Sequence, residues 1–432
     1  MSESTEAAVG VVGPSKPRLW QILGPGLITG AADDDPSGIA TYAQAGAQFG
    51  FSLGWTLLLT YPLMVVIQAI SARIGRTTGA GIAGNLRRHY PNGVLQAIVL
   101  TVFAANVLNI GADLGAMAEA SALLLPLPGW IYVVFFGVVC TAGQVFLRHT
   151  RYVSVLKWLT LTLFAYFGTV AVVKIPWDQL LTGLFIPTLH FDRDFWLTVV
   201  AILGTTISPY LFFWQAAQEV EDTRTEPRRE PLLREPAQGA SALRRIRIDT
   251  LTGMGFSNLV ALAIMVTAGA TLHVSGITEI NSAAQAARAL RPLAGDAAFA
   301  LFALGIVGTG LLSVPVLAGS AAYALGEARR WRVGLSRTPR QAKAFYAALT
   351  VATFLGVAEN FLHIPPLKAL VWVAVLNGIV AVPVMVLLML MSVRQAVMGQ
   401  FRIGTAAQVV GWAATGVMAV ASGVFFVSLV VK

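Results

Sequence analysis

Three consecutive carboxylates, Asp33-Asp34-Asp35, run directly into Pro36-Ser37-Gly38 inside a stretch that is otherwise apolar over a membrane's thickness. A second interruption, Thr206-Ile207-Ser208-Pro209-Tyr210, breaks another such stretch. Proline removes a backbone donor and glycine loosens the helix further. In hydrocarbon the freed carbonyls persist only where protein or a water-filled cavity shields them. A carboxylate at that depth is costly and marks an ion or substrate path. Two broken helices, one of them carrying acids, are the pattern of a secondary transporter's central binding site, and acids there select a cation.

Successive side chains fan out at about 100° along a helix, so Asp33, Asp34 and Asp35 cannot all address one ion unless the backbone unwinds. Pro36 and Gly38 encourage that unwinding. Asp35, next to the proline, is the first choice for the inward ligand, although an aspartate there can also cap the half-helix that follows. Asp34 is placed to attract a hydrated ion or complete an outer shell. At the second break Ser208 offers a hydroxyl oxygen, and the carbonyls of Gly204 and Thr205 are exposed. Oxygen donors without histidine or sulfur suit hard cations such as Mg²⁺, Ca²⁺ or Mn²⁺.

The elements that must position these groups are membrane helices. Of 432 residues, 56% are hydrophobic and 12% charged, against roughly 25% charged in soluble domains. An all-α integral membrane protein is therefore expected. At about 20 apolar residues per crossing, we read eleven spans: 20–48, 52–73, 93–125, 129–147, 152–175, 194–219, 248–274, 297–327, 341–359, 365–392 and 405–431. Residues 1–19 would be a cytoplasmic tail, 221–247 a flexible polar loop, and 75–91 a link holding a short interfacial helix.

With the N-terminus inside, 24 of the 30 basic residues fall on cytoplasmic segments, leaving Lys174, Arg193, Arg288, Arg291, Lys368 and Lys432 outside. That bias fixes an inside N-terminus and an outside C-terminus. It also explains the net charge of +9 without a nucleic-acid partner. Five spans separate Pro36 from Pro209, so the two halves have opposite orientation. This is the LeuT-like five-plus-five inverted repeat, with repeats over 20–175 and 194–392 and an accessory helix over 405–432. A single cysteine, Cys140, excludes an intrachain disulfide.

The run Gly24-Pro25-Gly26, then Asp35-Pro36-Ser37-Gly38-Ile39-Ala40-Thr41 and Gln44-Ala45-Gly46-Ala47 resembles the first helix of the Nramp divalent-metal transporters. Ser71-Ala72-Arg73-Ile74-Gly75, Thr78-Gly79 and Arg88-His89-Tyr90-Pro91 match the segment after their second helix, and Ala112-Asp113-Leu114 part of the third. Ser208-Pro209-Tyr210 stands where that family has Met-Pro-His. The resemblance implies a metal held by Asp35, the Ala32 carbonyl and the Thr205 carbonyl. It also exposes departures: the family's asparagine is Gly38, its methionine Ser208, its histidine Tyr210, and a glutamate linked to proton movement is Asn106. Losing the soft thioether removes a bias towards transition metals. Neither tyrosine nor asparagine exchanges protons usefully near neutral pH. These departures resemble the Nramp-related magnesium transporters.

A candidate ion pathway would run through Asp33, Gly38, Tyr210, Gln215, Asp113, Glu119 and Asn377. One of Asp113 and Glu119 is a candidate for lining an inner vestibule, with a paired structural role as the alternative. Asn377-Gly378 could give a close helix contact and an interhelical hydrogen bond. The expected activity is alternating-access transport of Mg²⁺ and/or Mn²⁺ with weak or no proton coupling. Two charges crossing 100 mV supply about 4.6 kcal/mol, enough to drive uptake. No cofactor and no enzymatic chemistry are expected. The expected partners are the metal ion and the bilayer of the plasma or inner membrane, around a monomer. The alternatives are an H⁺- or Na⁺-coupled symporter of a small organic solute and a non-transporting relative.

Overall fold

Two prolines begin helices instead of bending them. Pro36 opens α1 (Pro36–Phe49) with Asp35 as its N-cap, and Pro209 opens α9 (Pro209–Thr225) directly after α8 (Arg193–Thr206). At a helix's first turn the missing N–H has no intrahelical partner to lose, and proline's fixed φ suits the position. The computed structural model describes residues 29–30, 32–146, 163–226, 228–362 and 364–430, and its regular structure there is helical. The expected tail over 1–19 and the first part, 152–162, of the span expected over 152–175 lie outside those residues.

The remaining elements are α2 (Gly54–Thr78), α3 (Ile82–His89), α4 (Asn92–Ala122), α5 (Gly129–Phe146), α6 (Phe164–Val172), α7 (Trp177–Phe185), α10 (Gly239–Ala268), α11 (Ala298–Ala328), α12 (Lys343–Glu359), α13 (Pro366–Val393) and α14 (Thr405–Val430). Among the described residues nine helical stretches are long and apolar enough to cross a membrane. They correspond to all the expected spans except 20–48 and 152–175, each only partly described. The chain is a multi-pass membrane protein.

Both broken spans lie inside the bundle. α1 rests on α10 and α13, α8 on α13, and α9 on α2, while α4 packs along α11, α12 and α13. Several of these contacts are made by backbone, two of them at the second broken span. A Cβ on Gly204 would fall 2.0 Å from the Ala374 carbonyl oxygen and 2.4 Å from the Gly378 nitrogen, so α8 and α13 touch main chain to main chain. A Cβ on Gly75 would fall 2.2 Å from the Ala216 oxygen, joining α2 to α9 in the same way. Small residues permit such close approach in the absence of a hydrophobic force between helices in lipid.

The short helix expected after the second span is α3. The buried Glu327 carboxylate caps it, accepting from the Gly81 and Gly84 amides at 2.8 and 2.9 Å, where a helix N-terminus favours negative charge. The loop expected over 221–247 needs correction. α9 continues to Thr225 and α10 already begins at Gly239, because Ala, Leu and Arg are strong helix formers and their charges do not end a helix outside hydrocarbon. The shortened connection is also docked, not free. Leu232 is fully buried, and the Leu232 and Leu233 amides donate to the Arg76 and Thr77 carbonyls at 3.2 and 3.1 Å.

Candidate functional site

Asp33, Asp34 and Asp35 are each at most 1% exposed. Residues 32–33 are helical, Asp34 is a bend and Asp35 is extended, so the backbone turns between the second acid and the third. That turn divides the acids. Asp33 and Asp34 meet at one hydroxyl, Ser257 of α10, which lies 2.6 Å from Asp33 Oδ2 and 3.3 Å from Asp34 Oδ1. Asp35 faces elsewhere. Its Oδ1 caps α1 by accepting from the Gly38 amide at 2.7 Å. Its Oδ2 accepts from Asn109 Nδ2 at 3.2 Å and lies 3.3 Å from the Tyr210 hydroxyl. The oxygen that caps α1 and the oxygen that faces Asn109 and Tyr210 are thus different atoms of one carboxylate.

Tyr210 also lies 3.0 Å from the Ala32 carbonyl. With one proton to give, its hydroxyl stands between the two groups that the family resemblance assigns to the metal. Asn109 is held from behind by Asn377 of α13, whose Nδ2 donates to its Oδ1 at 3.1 Å. Asn377 therefore sits one step removed from Asp35, beside the Gly204–Gly378 crossing. Gly38 is tightly enclosed: a Cβ there would lie 3.2 Å from both the Asp33 carbonyl and Thr205 Oγ1. Thr205 therefore reaches across to the first break.

At the second break the serine hydroxyl turns back on its own helix. Ser208 Oγ donates to the carbonyls of Gly204 at 2.6 Å and Thr205 at 3.0 Å, the second of which loses its N–H partner to Pro209. A hydroxyl whose proton is engaged in this way keeps its lone pairs for another donor or a cation.

The remaining pathway residues are dispersed. Asp113 accepts from Ser313 of α11 at 2.8 Å, within the bundle. Glu119 lies apart from Asp113. It lies near the opposite end of α4 from Asn92 and accepts from the Ala283 amide at 2.7 Å, capping the helix Ala283–Ala287. Six residues along a helix place the two acids about 9 Å apart axially, so they make no pair. Gln215 accepts from Thr29 at 2.5 Å, tying the chain before the first break to α9. Beyond it Gln218, Glu221 and Asp222 line a cavity of about 1080 Å³ that reaches neither break.

Among the described residues no set of three or more histidine, cysteine or acidic side chains is grouped to hold a metal. The site is built instead from one carboxylate, amides, hydroxyls and carbonyls. Asn109 and Ser257 were not singled out in the sequence. Each is an isolated polar residue in an apolar span, and Asn106-Asn109 at helical spacing was the available signal. Equally informative is what is missing: no lysine or arginine pairs with Asp33, Asp34, Asp35 or Asp113 among the described residues.

A family model described as Nramp, natural resistance-associated macrophage protein-like, matches residues 26–428. A "Divalent metal cation transporter MntH" from Verminephrobacter eiseniae is 26% identical over 368 residues, 82% of this chain and 81% of the relative. Another, from Aeromonas hydrophila, is 25% identical over 315 residues, 70% and 72% of the two chains. A manganese transporter of Eremococcus coleocola superposes with a TM-score of 0.74 at 17% identity, over 95% of this chain and 87% of that one. Mhp1, a nucleobase-cation-symport-1 family transporter, superposes at 0.58 and 12% identity, over 94% and 92%. The structural likenesses show a shared transporter fold, and the match to the family model spans nearly the whole chain: this protein belongs to the Nramp family, a family of transporters and not of enzymes.

Proposed function

We propose that this chain carries a divalent metal ion across the plasma membrane by alternating access, and that it accepts hard ions, Mg²⁺ together with Mn²⁺. The observation that carries the proposal is the cluster of buried carboxyl groups at the first break, which has hydroxyl and amide neighbours but no basic partner. Removing ionic charge from water costs several kcal/mol unless an opposite charge compensates it, and a mobile cation supplies that charge. Relatives named as divalent metal cation transporters support the substrate class.

In this scheme the Tyr210 hydroxyl turns aside with its proton and the ion sits between Asp35 Oδ2 and the Ala32 carbonyl, with the Thr205 carbonyl and Ser208 oxygen approaching from the second break. Asp33 and Asp34, gathered by Ser257, add negative potential beside it. The donors are all oxygen, which favours hard ions and leaves room for retained water. Residues 20–175 and 194–392 act as the two inverted repeats around the site. The protein operates as a monomer with its N-terminus in the cytoplasm. Tyr210 and Asn106 leave proton coupling weak.

The test is uptake of Mg²⁺ and Mn²⁺ into proteoliposomes with an internal pH dye. Entry of both metals without acidification is the expected result. Acidification that follows metal entry would replace this mechanism with a proton-coupled one, and absence of uptake would end the metal-transport assignment.

A further inference from the structure

Away from both breaks, α2, α10 and α14 enclose a lateral groove of about 750 Å³. Its wall is apolar, formed by Val65, Val66, Ala69 and Ile70 of α2 with Ala407 and Val410 of α14. At one end three arginines gather, Arg73 from α2 and Arg244 and Arg247 from α10. Their hydrogen bonding differs. The Arg73 guanidinium is held by the carbonyls of Phe401 and Arg402 at 2.9 and 3.0 Å. Arg244 and Arg247 are exposed and make no ion pair among the described residues. They lie three residues apart and so share a helix face, while Arg245 between them turns the other way to Glu219.

Tyr61 stands at the other end and donates to the Leu251 carbonyl at 3.2 Å. Twelve residues of α2 separate Tyr61 from Arg73, about 18 Å at the helical rise. That is close to the depth of one leaflet's hydrocarbon, half of about 30 Å. The groove is thus an apolar slot running along a membrane span, one leaflet long, headed by two uncompensated cations at its basic edge. A neutral lipid leaves both arginines without an anion, and a soluble anion leaves the slot unfilled. Only a molecule with a phosphate at one end and an alkyl chain at the other complements both parts. We propose that this groove binds an anionic glycerophospholipid, with its phosphate on Arg244 and Arg247 and an acyl chain along α2 and α14. The bound lipid holds α14 against the transporting bundle.

The experiment uses the full chain purified in detergent and titrated with dioleoylphosphatidylglycerol, dioleoylphosphatidylcholine or glycerol 3-phosphate. Melting is followed by tryptophan fluorescence, and lipid adducts by native mass spectrometry. Phosphatidylglycerol is expected to raise the melting temperature and remain bound, while the other two do neither. Arg244→Ala with Arg247→Ala should weaken its apparent affinity about thirtyfold, about fivefold per arginine, without changing the lipid-free melting temperature. Val66→Trp with Ala69→Trp should block the chain and abolish the response with both arginines in place. An equal shift with phosphatidylcholine, a full shift with glycerol 3-phosphate, or an undiminished response in either double variant would overturn the assignment. A lipid-insensitive dimer sealed at this face would give the groove to a second copy instead.

Discussion

Two sets of deep carboxylates in this molecule are treated in opposite ways. At the arginine-rich end of α9, each acid has its base: Glu219 pairs with Arg245, Asp222 with Arg229 at 2.8 Å, and Glu221 with Arg224 at 3.2 Å. Glu221 also accepts from the Ser336 amide at 3.2 Å. At the break before α1, Asp33, Asp34 and Asp35 are more deeply enclosed and contact only hydroxyls and amides. A carboxylate with its own arginine gains little from an arriving cation. One with only neutral donors is oriented but has no fixed counter-charge. The first set therefore ties α9 to its neighbours, and the second is the one that the proposed function assigns to an ion.

The sharpest way to test that contrast is to remove a carboxylate that has no fixed partner. Asp35→Ala should lower metal uptake by at least about a hundredfold, equivalent to about 3 kcal/mol, while the protein still purifies as a folded species. Undiminished flux would remove Asp35 from the ligand set. The paired set should respond in stability. Arg245→Ala leaves Glu219 buried and unpaired, and should destabilise the fold by about 2–4 kcal/mol in denaturant titrations. Adding Glu219→Gln should recover most of the loss, and a failure to recover would show that packing, not charge, holds that end.

Smaller effects follow from the neutral donors. Ser257→Ala withdraws the hydroxyl shared by Asp33 and Asp34, and should reduce uptake about tenfold with Asp35 untouched. If the rate is unchanged, those two acids take no part in the ion's path. Ser208→Met exchanges a hard oxygen for a soft sulfur and should move the Mn²⁺-to-Mg²⁺ uptake ratio a few-fold towards Mn²⁺. A constant ratio in competition assays would refute the donor-softness argument.

The two breaks were legible because proline leaves a backbone signature that no tertiary context removes: both Pro36 and Pro209 open helices where the sequence predicts interruption. Asp35 was legible as both a cap and a ligand candidate, and the geometry explains why those roles coexist. The direction of Ser208 was not legible, since a hydroxyl can turn to a ligand or to its own helix with equal ease. Nor were Asn109 and Ser257, whose significance depends on which helix lies opposite. The start of α10 was misplaced because Arg244, Arg245 and Arg247 resemble loop charge by hydropathy, whereas on the helix they point to different partners.

The glycine crossings have a mechanical consequence. Each piece of the sixth span is clasped, main chain to main chain, by a different neighbour: α8 by α13 at Gly204, and α9 by α2 at Gly75. A swing at the gap between Thr206 and Pro209 cannot move α9 alone, because α2 is geared to it, and cannot drag α8, because α13 anchors it. Opening is then the parting of two clasped pairs about a few peptide units. In the proposed alternating-access cycle, stiffening that short joint should slow turnover even with every side chain at the breaks unchanged.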